Sequence, residues 1–339
     1  MYHIETYGSP RQMGQQIGDA LGDQFDRIID RYAPWIRGMD DRRRAAVAAL
    51  RDVTARHAPE VLEETAGMAE AVGMDEQELL GLRMFNEVKH YMPSCSGLVI
   101  CDSDRGPLLA RTCDLEPDIS QEIQLSRVSR PNEGPATVTV TYLPMVSSLG
   151  FNEHGIAMTG SSAVSKGDPA MDGLPMAVLN TVSLKYCKSL EDVAGWLTGK
   201  TLRGKGAIQL FCDAAGRSMI AEYPTGRETI LTHRAAGDTY QACTNFPQTA
   251  GLELASGPLY AANAYARFGR MKHQADGDMP RTLEGVKQLL VDVAQPGMVC
   301  PAETSMWRTA YAFVIEVRNR KMHLAPGHPA EVDWMEISL

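Results

Sequence analysis

The chain has 339 residues, and 33 Lys and Arg against 42 Asp and Glu give a net charge of −9 at pH 7. Hydrophobic residues at 44% and charged residues at 22% match a soluble globular chain of one large domain or two, which excludes disordered and fibrous classes. The acidic balance argues against a nucleic-acid partner, which needs clustered Lys and Arg. Taken in chain order, the first elements are helical. Ser9-Pro10 suits a helix start, and Met13, Ile17, Leu21, Phe25, Ile28, Ile29, Tyr32 and Ile36 then recur at helical spacing. Gly14 and Gly18 interrupt that pattern at i, i+4, which predicts a close helix contact. Further helices are expected at about 41–57, 59–71 and 75–90, so the opening region reads as all helix. The run Arg42-Arg43-Arg44 after Asp40 and Asp41 is a solvated helix face.

The character changes at Met92-Pro93-Ser94-Cys95. Strand-like runs follow at 97–101 and 107–112, then an alternating run from Thr137 to Leu143, then 147–151 and 155–160 around the turn Asn152-Glu153-His154-Gly155. Helices are expected at about 175–186 and 189–198, strands at 207–213, 217–223, 228–232 and 239–244, helices at 259–274 and 281–294, and a last strand pair at Tyr311–Val317 and Lys321–Ala325. Two groups of strands with helices between them suit an α+β sandwich of antiparallel sheets covered by helices better than an alternating parallel sheet.

The N-terminus has no basic segment followed by an apolar one, and no stretch approaches the roughly 18 apolar residues of a membrane span. Cysteines at 95, 101, 113, 187, 212, 243 and 300 are sparse and odd in number, which suits a reducing cytoplasm. There is no CxxC or HExxH, and the nearest metal-like spacings are Cys95-x5-Cys101 and His323-x4-His328. Gly204-Lys205-Gly206 lacks the rest of a dinucleotide fingerprint. We therefore expect no metal and no cofactor.

A helical leader, a Pro-Ser-Cys turn and a strand starting at Cys95 raise the idea of a new N-terminus. If the Ser94–Cys95 bond is cut, Cys95 carries a thiol and an α-amine of pKa about 7.7–8.0 on one residue, so nucleophile and base need no histidine. The competing reading is a buried strand cysteine behaving as a small hydrophobe.

Cys95-Ser96-Gly97, followed by Arg111 and Asp114 in Ala110-Arg111-Thr112-Cys113-Asp114, resembles the opening of cysteine N-terminal-nucleophile (Ntn) hydrolases of the choloylglycine hydrolase and penicillin V acylase group. The leader segment Gly8–Gly18 is similar to the start of isopenicillin-N acyltransferase-like proteins, which are made as precursors and cut before the catalytic Cys. Gly150–Ile156, Thr244-Asn245-Phe246-Pro247, Ala266-Arg267-Phe268 and Leu324–Pro329 resemble further family blocks in the family's order. The glycine and Asn that flank Arg111 in the family are absent here, and Ser162 stands where bile-salt enzymes carry an oxyanion Asn.

The resemblance implies an αββα four-layer Ntn sandwich of two antiparallel sheets flanked by helices, with residues 1–94 as helical leader and 95–339 as catalytic domain. It implies self-cleavage between Ser94 and Cys95 and hydrolysis of a linear N-acyl amide through a Cys95 thioester. Asp114 would hold the α-amine, Arg111 would lower the thiol pKa, and Asn245 would donate to the oxyanion, with Ser162 as an alternative donor. Arg267 is the last active-site Arg of the family pattern, although a helix Arg more often makes a surface ion pair. Asn152 and Gly155 read as turn builders. The cut leader would stay docked as a heterodimer partner, and a homo-oligomer is left open. Alternatives are transfer of the acyl group to an amine, an uncut binding protein of the same fold, and an uncut hydrolase using His154 or His233 as base.

Overall fold

The computed structural model describes residues 1–36, 39–84, 94–115, 124–142, 146, 149–277, 279–294 and 307–339. Expectations resting on Phe85 to Pro93, Leu143, Ser147 and Cys300 lie outside these residues, as do the side chains of Ile28, Ile29, Tyr32 and Ile36. Contacts divide the chain into two compact units.

The first unit is built from Met1–Tyr91, Ile123–Leu149 and Leu174–Tyr186. It holds β1 (Tyr2–Gly8), α1 (Pro10–Ile36), α2 (Asp41–His57), α3 (Pro59–Val72) and α4 (Glu76–Arg83), then β4 (Gln124–Pro131), β5 (Thr137–Tyr142) and α5 (Met176–Lys185). Caps define the helix starts: Asp40 accepts from the Arg43 N–H at 2.8 Å, and Asp75 accepts from the N–H groups of Gln77 and Glu78 at 3.0 Å. The predicted close helix contact is present between α1 and α3. A Cβ on Gly14 would sit 2.0 Å from the Glu64 carbonyl oxygen, and one on Gly67 would sit 2.0 Å from that of Arg11. The all-helix opening is corrected by β1, which pairs in parallel with β4, while β4 and β5 are antiparallel. At the centre of this unit Glu64 accepts from Arg83 at 2.5 Å and Arg127 at 2.6 Å. Burial pushes the Glu64 carboxyl up, but Arg127 and Arg83 outweigh it and hold the pKa down at about 2.

The second unit comprises Met92–Glu122, Gly150–Gly173 and Cys187–Leu339. One of its sheets has the order β11-β2-β3-β12-β13-β14, formed by Tyr240–Cys243, Ser94–Ser103, Gly106–Leu115, Arg308–Glu316, Lys321–Ala325 and Met335–Ser338. All pairs in it are antiparallel. The facing strands run β6 (Leu149–Asn152), β7 (Ile156–Ser162), β8 (Ala207–Asp213), β9 (Ser218–Tyr223) and β10 (Ile230–His233).

The two layers approach closely because Gly97 has no side chain, and a Cβ there would meet Thr159 Cγ2 at 2.9 Å and Cys243 Sγ at 3.0 Å. On the far side of the six-stranded sheet lie α7 (Pro258–Asp276) and α8 (Leu283–Leu290). Leu98, Ile100, Leu108, Ala110, Ala312 and Val314 pack there against Met271, Val286 and Leu289. α6 (Leu190–Leu197) covers β8 and β9. Helix, sheet, sheet and helix form the four-layer αββα arrangement of an Ntn hydrolase.

The turn after β6 is made as expected. Gly155 has φ +79°, and Asn152 Oδ1 accepts from the Ile156 N–H at 3.0 Å while its Nδ2 donates to the Cys187 carbonyl at 3.0 Å. Among the described residues, no helix is long and apolar enough to cross a membrane.

Candidate active site

Strand geometry sorts the site residues onto two faces. β2 and β3 pair Ser94 with Asp114, Cys95 with Cys113 and Gly97 with Arg111. Side chains alternate along a strand, so Cys95, Arg111 and Cys113 face β7, whereas Ser94, Ser96 and Asp114 face α7. The hydrogen bonds agree with this parity. Arg111 Nη2 donates to Cys95 Sγ at 3.0 Å, and its Nη1 donates to Thr159 Oγ1 at 3.1 Å and to the Gly160 carbonyl.

On the other face, Arg267 of α7 is fully buried. Its Nη1 donates to the Cys95 carbonyl at 2.6 Å and to Ser96 Oγ at 2.7 Å. Its Nη2 donates to Ser94 Oγ and to Asn245 Oδ1, both at 2.7 Å, and its Nε donates to Asn263 Oδ1 at 2.8 Å. Arg267 thus departs from the surface ion pair that a helix Arg more often makes. Five fixed acceptors repay the burial of one guanidinium, an arrangement a Lys could not reproduce.

Asn245 follows β11 at a turn that Thr244 ties to α7, its Oγ1 donating to the Ala264 carbonyl at 2.9 Å. The Asn245 Oδ1 accepts from the Cys95 N–H at 2.9 Å, and its Nδ2 donates to the Ser162 carbonyl at 2.9 Å. Asn245 thus meets the Cys95 nitrogen as an acceptor and carries its amide donor on Nδ2, and Ser162 joins the cluster through its backbone oxygen. The Ser161 hydroxyl donates to the Cys95 carbonyl at 3.4 Å.

Asp114 is buried and accepts from Thr309 Oγ1 at 2.7 Å, while among the described residues its Oδ2 has no hydrogen-bond partner. Burial raises its carboxyl to about 7, against the opposing pull of Arg267 and Thr309. Burial likewise pushes the Cys95 thiol well up, helped by a hydrogen bond with Cys113; the nearby Arg111 charge pulls it down but does not prevail. Arg111 thus acts in the expected direction, and in the intact chain desolvation outweighs it.

The residues singled out in the sequence thus converge: Ser94, Cys95, Arg111, Asn245, Arg267 and the Ser162 carbonyl form one bonded cluster, and Asp114 stands across the ladder from Ser94. Among the described residues, the histidines do not join it. His154 is half-buried in the β6–β7 turn, His233 is exposed on β10, and His323 Nε2 bonds Glu316 at 2.7 Å. Among the described residues no group of three or more His, Cys, Asp or Glu is arranged to hold a metal ion. Sequence inspection missed Ser161, Thr309, Asn263 and Tyr260, which shares a hydrogen bond with Asn245. Only Asn263 left a signal, four residues before Arg267 on the same helix face.

A family model described as acyl-coenzyme A:6-aminopenicillanic acid acyl-transferase matches residues 101–331. The chain belongs to that acyl-transferase family. Among curated proteins none matches this family member. Among solved structures, it is similar to penicillin V acylase from Agrobacterium tumefaciens, with TM-score 0.52 and 18% identity over 72% of this chain and 86% of that one. A mutant of the conjugated bile acid hydrolase from Clostridium perfringens aligns with TM-score 0.45 and 15% identity, over 72% of this chain and 92% of that one. At such identities the acylase match speaks for the fold.

Proposed function

We propose that this acyl-transferase family member is a self-cleaving Ntn amidohydrolase that breaks the C–N bond of a linear N-acyl amide through a thioester on Cys95. The observation that carries the reading is the hold on the Ser94–Cys95 peptide: Asn245 on the Cys95 nitrogen, Arg267 on the Cys95 carbonyl and the Ser94 hydroxyl, and Arg111 on the thiol. A buried strand cysteine needs none of these partners.

In self-cleavage the Cys95 Sγ attacks the Ser94 carbonyl carbon, the C–N bond breaks and the nitrogen takes up the thiol proton. Water then opens the resulting Ser94 thioester, leaving a Ser94 carboxylate and Cys95 with a free α-amine. That amine stays beside Asn245 Oδ1, the acceptor its N–H already uses. Where cutting lets solvent or substrate reach the thiol, the Arg111 charge acts on it with less opposition from burial. In turnover the α-amine takes the thiol proton, Sγ attacks the amide carbonyl, the amine product leaves with the proton, and water releases the acid. The Asn245 Nδ2 and the Tyr260 hydroxyl are the side-chain donors that support placing the oxyanion there, and Asp114 steadies the ammonium side of the site.

The leader, residues 1–94, remains as the small chain of a heterodimer with residues 95–339, and a reducing cytoplasm keeps the thiol unpaired. The family's description as an acyl-transferase favours one second reading, in which an amine replaces water as acceptor of the acyl group.

The decisive test is the intact mass of freshly purified protein under denaturing conditions. Two fragments parted between Ser94 and Cys95 support the reading; a single 37.1 kDa chain that persists on incubation refutes self-cleavage. Adding amines during N-acyl amide turnover then separates the two acceptors by whether a new amide forms.

A further inference from the structure

Cys113 stands directly opposite Cys95 on the neighbouring strand. The kind of pairing decides how close the two thiols come. In an antiparallel ladder a residue's N–H and C=O both point to the same neighbouring strand, and Cys95 directs its N–H to Asn245 and its C=O to Arg267. Neither group turns toward β3. Cys95 and Cys113 are therefore a non-hydrogen-bonded pair, the class in which Cα atoms lie about 4.5 Å apart and side chains come closest. That separation falls inside the roughly 4.4–6.8 Å range a disulfide requires.

Both side chains point to the β7 face, and a hydrogen bond links the two thiols. Both are also fully buried, which keeps bulky oxidants off them and makes a small neutral one the appropriate probe. Arg111, 3.0 Å from Cys95 Sγ, pulls toward the thiolate that begins such chemistry, against the burial that holds the thiol protonated.

We infer that Cys95 and Cys113 form a reversible cross-strand disulfide on exposure to hydrogen peroxide, which takes the Cys95 thiol out of use and protects it from irreversible oxidation. The Cys95 thiolate attacks one peroxide oxygen, the O–O bond breaks, and a sulfenic acid and one water result. The Cys113 thiol attacks that sulfur, the S–S bond forms and a second water leaves; the two thiols have then lost two hydrogens and two electrons to the peroxide. The consequence for catalysis rests on the proposed nucleophile, whereas the bond itself rests only on strand pairing.

The test is peptide mass mapping of the full chain after graded peroxide, without reductant, alongside thiol labelling of Cys95 before and after dithiothreitol. The expected result is a Cys95–Cys113 linked peptide lighter by two hydrogens, with labelling lost on oxidation and restored by dithiothreitol. In Cys113→Ser the linked peptide is absent and Cys95 proceeds to sulfinic acid, which dithiothreitol does not reverse. The inference is overturned if wild type and Cys113→Ser lose Cys95 labelling equally and irreversibly, or if Cys95 links instead to Cys243 on β11. Because neither readout needs cutting or turnover, a linked peptide in an uncut, inactive protein would sink the proposed function and leave this inference standing.

Discussion

Arg267 holds Asn245 by its amide oxygen at 2.7 Å, and the same oxygen receives the Cys95 N–H at 2.9 Å. One buried cation thus decides which end of the amide faces the Cys95 nitrogen. If the amide turned over, two N–H donors would confront each other and the Cys95 N–H would lose its acceptor. The fork of Arg267 also spans β2 and its own helix, so it fixes the Ser94–Cys95 peptide relative to α7.

Replacing Arg267 by Ala leaves Ser94, Ser96 and Asn245 buried with a donor missing at each. We expect a stability loss of about 3 kcal/mol or more and no cutting at Ser94. Arg267→Lys restores the charge without the planar fork, so it recovers part of the stability and little of the cutting. Urea midpoints and denaturing gels on the two variants check both halves.

We expect Cys95→Ala to give one species of 37.1 kDa and wild type to give two fragments whose masses sum to that value plus one water. His154→Ala and His233→Ala cut and turn over normally, because neither ring is among the partners of Cys95. A histidine variant that stays uncut would point to a side-chain base instead.

Asp114 gives a pH signature. Its carboxyl stays protonated in the folded chain to about pH 7, against 3.8 as the ordinary value, because burial disfavours the anion. The folded state therefore binds more protons than the unfolded one between those values. Its favourable contribution is full below pH 3.8 and is lost as pH rises through about 7. Asp114→Asn removes this dependence, so its melting temperature relative to wild type should climb from pH 4 to 7 and level off above. The comparison is made in a Cys95→Ala background, which keeps the chain whole. A flat difference would mean that the carboxylate is paired rather than protonated.

Two glycines of α1 predict opposite signs for one substitution. A Cβ on Gly14 meets the Glu64 backbone at 2.0 Å, which neither helix can relieve without moving, while one on Gly22 meets nothing within 4 Å. Gly22→Ala should gain about 1 kcal/mol from helix propensity, and Gly14→Ala should lose about 1–3 kcal/mol net. Thermal melts of the pair read the difference directly.

What was legible in the sequence follows from how local each signal is. α1 announced itself by apolar spacing, and the Gly14–Gly18 interval signalled a close helix contact whose partner, α3, the structure supplies. β1 and β4 did not. Tyr2–Gly8 is largely exposed and carries one fully buried side chain, Thr6, while Gln124–Pro131 scatters Leu125 and Val128 among polar residues. Their parallel pairing joins positions more than a hundred residues apart. In the site, Cys95, Arg111 and Asp114 were marked by the family resemblance, and they fall within one hairpin whose strands lie close along the chain. Thr309 reaches Asp114 from another strand 195 residues along the chain, with nothing in its neighbours to mark it. Asn245 was found, but its orientation depends on Arg267, whose burial no helical pattern displays.

The parallel pairing of β1 with β4 also bears on how the molecule would unfold. Residues 2–8 and 124–131 lie on opposite sides of the Ser94–Cys95 bond, yet they share one backbone ladder within the first unit. In the intact chain, closing that ladder is a first-order event. Once the bond is cut, the same ladder must be rebuilt between two separate molecules, at a rate set by their concentration. Dilution would then favour separation, and a melted sample would recover slowly or not at all. The persistence of the mature form would be governed by its unfolding rate, with synthesis as a single chain the only fast route to assembly.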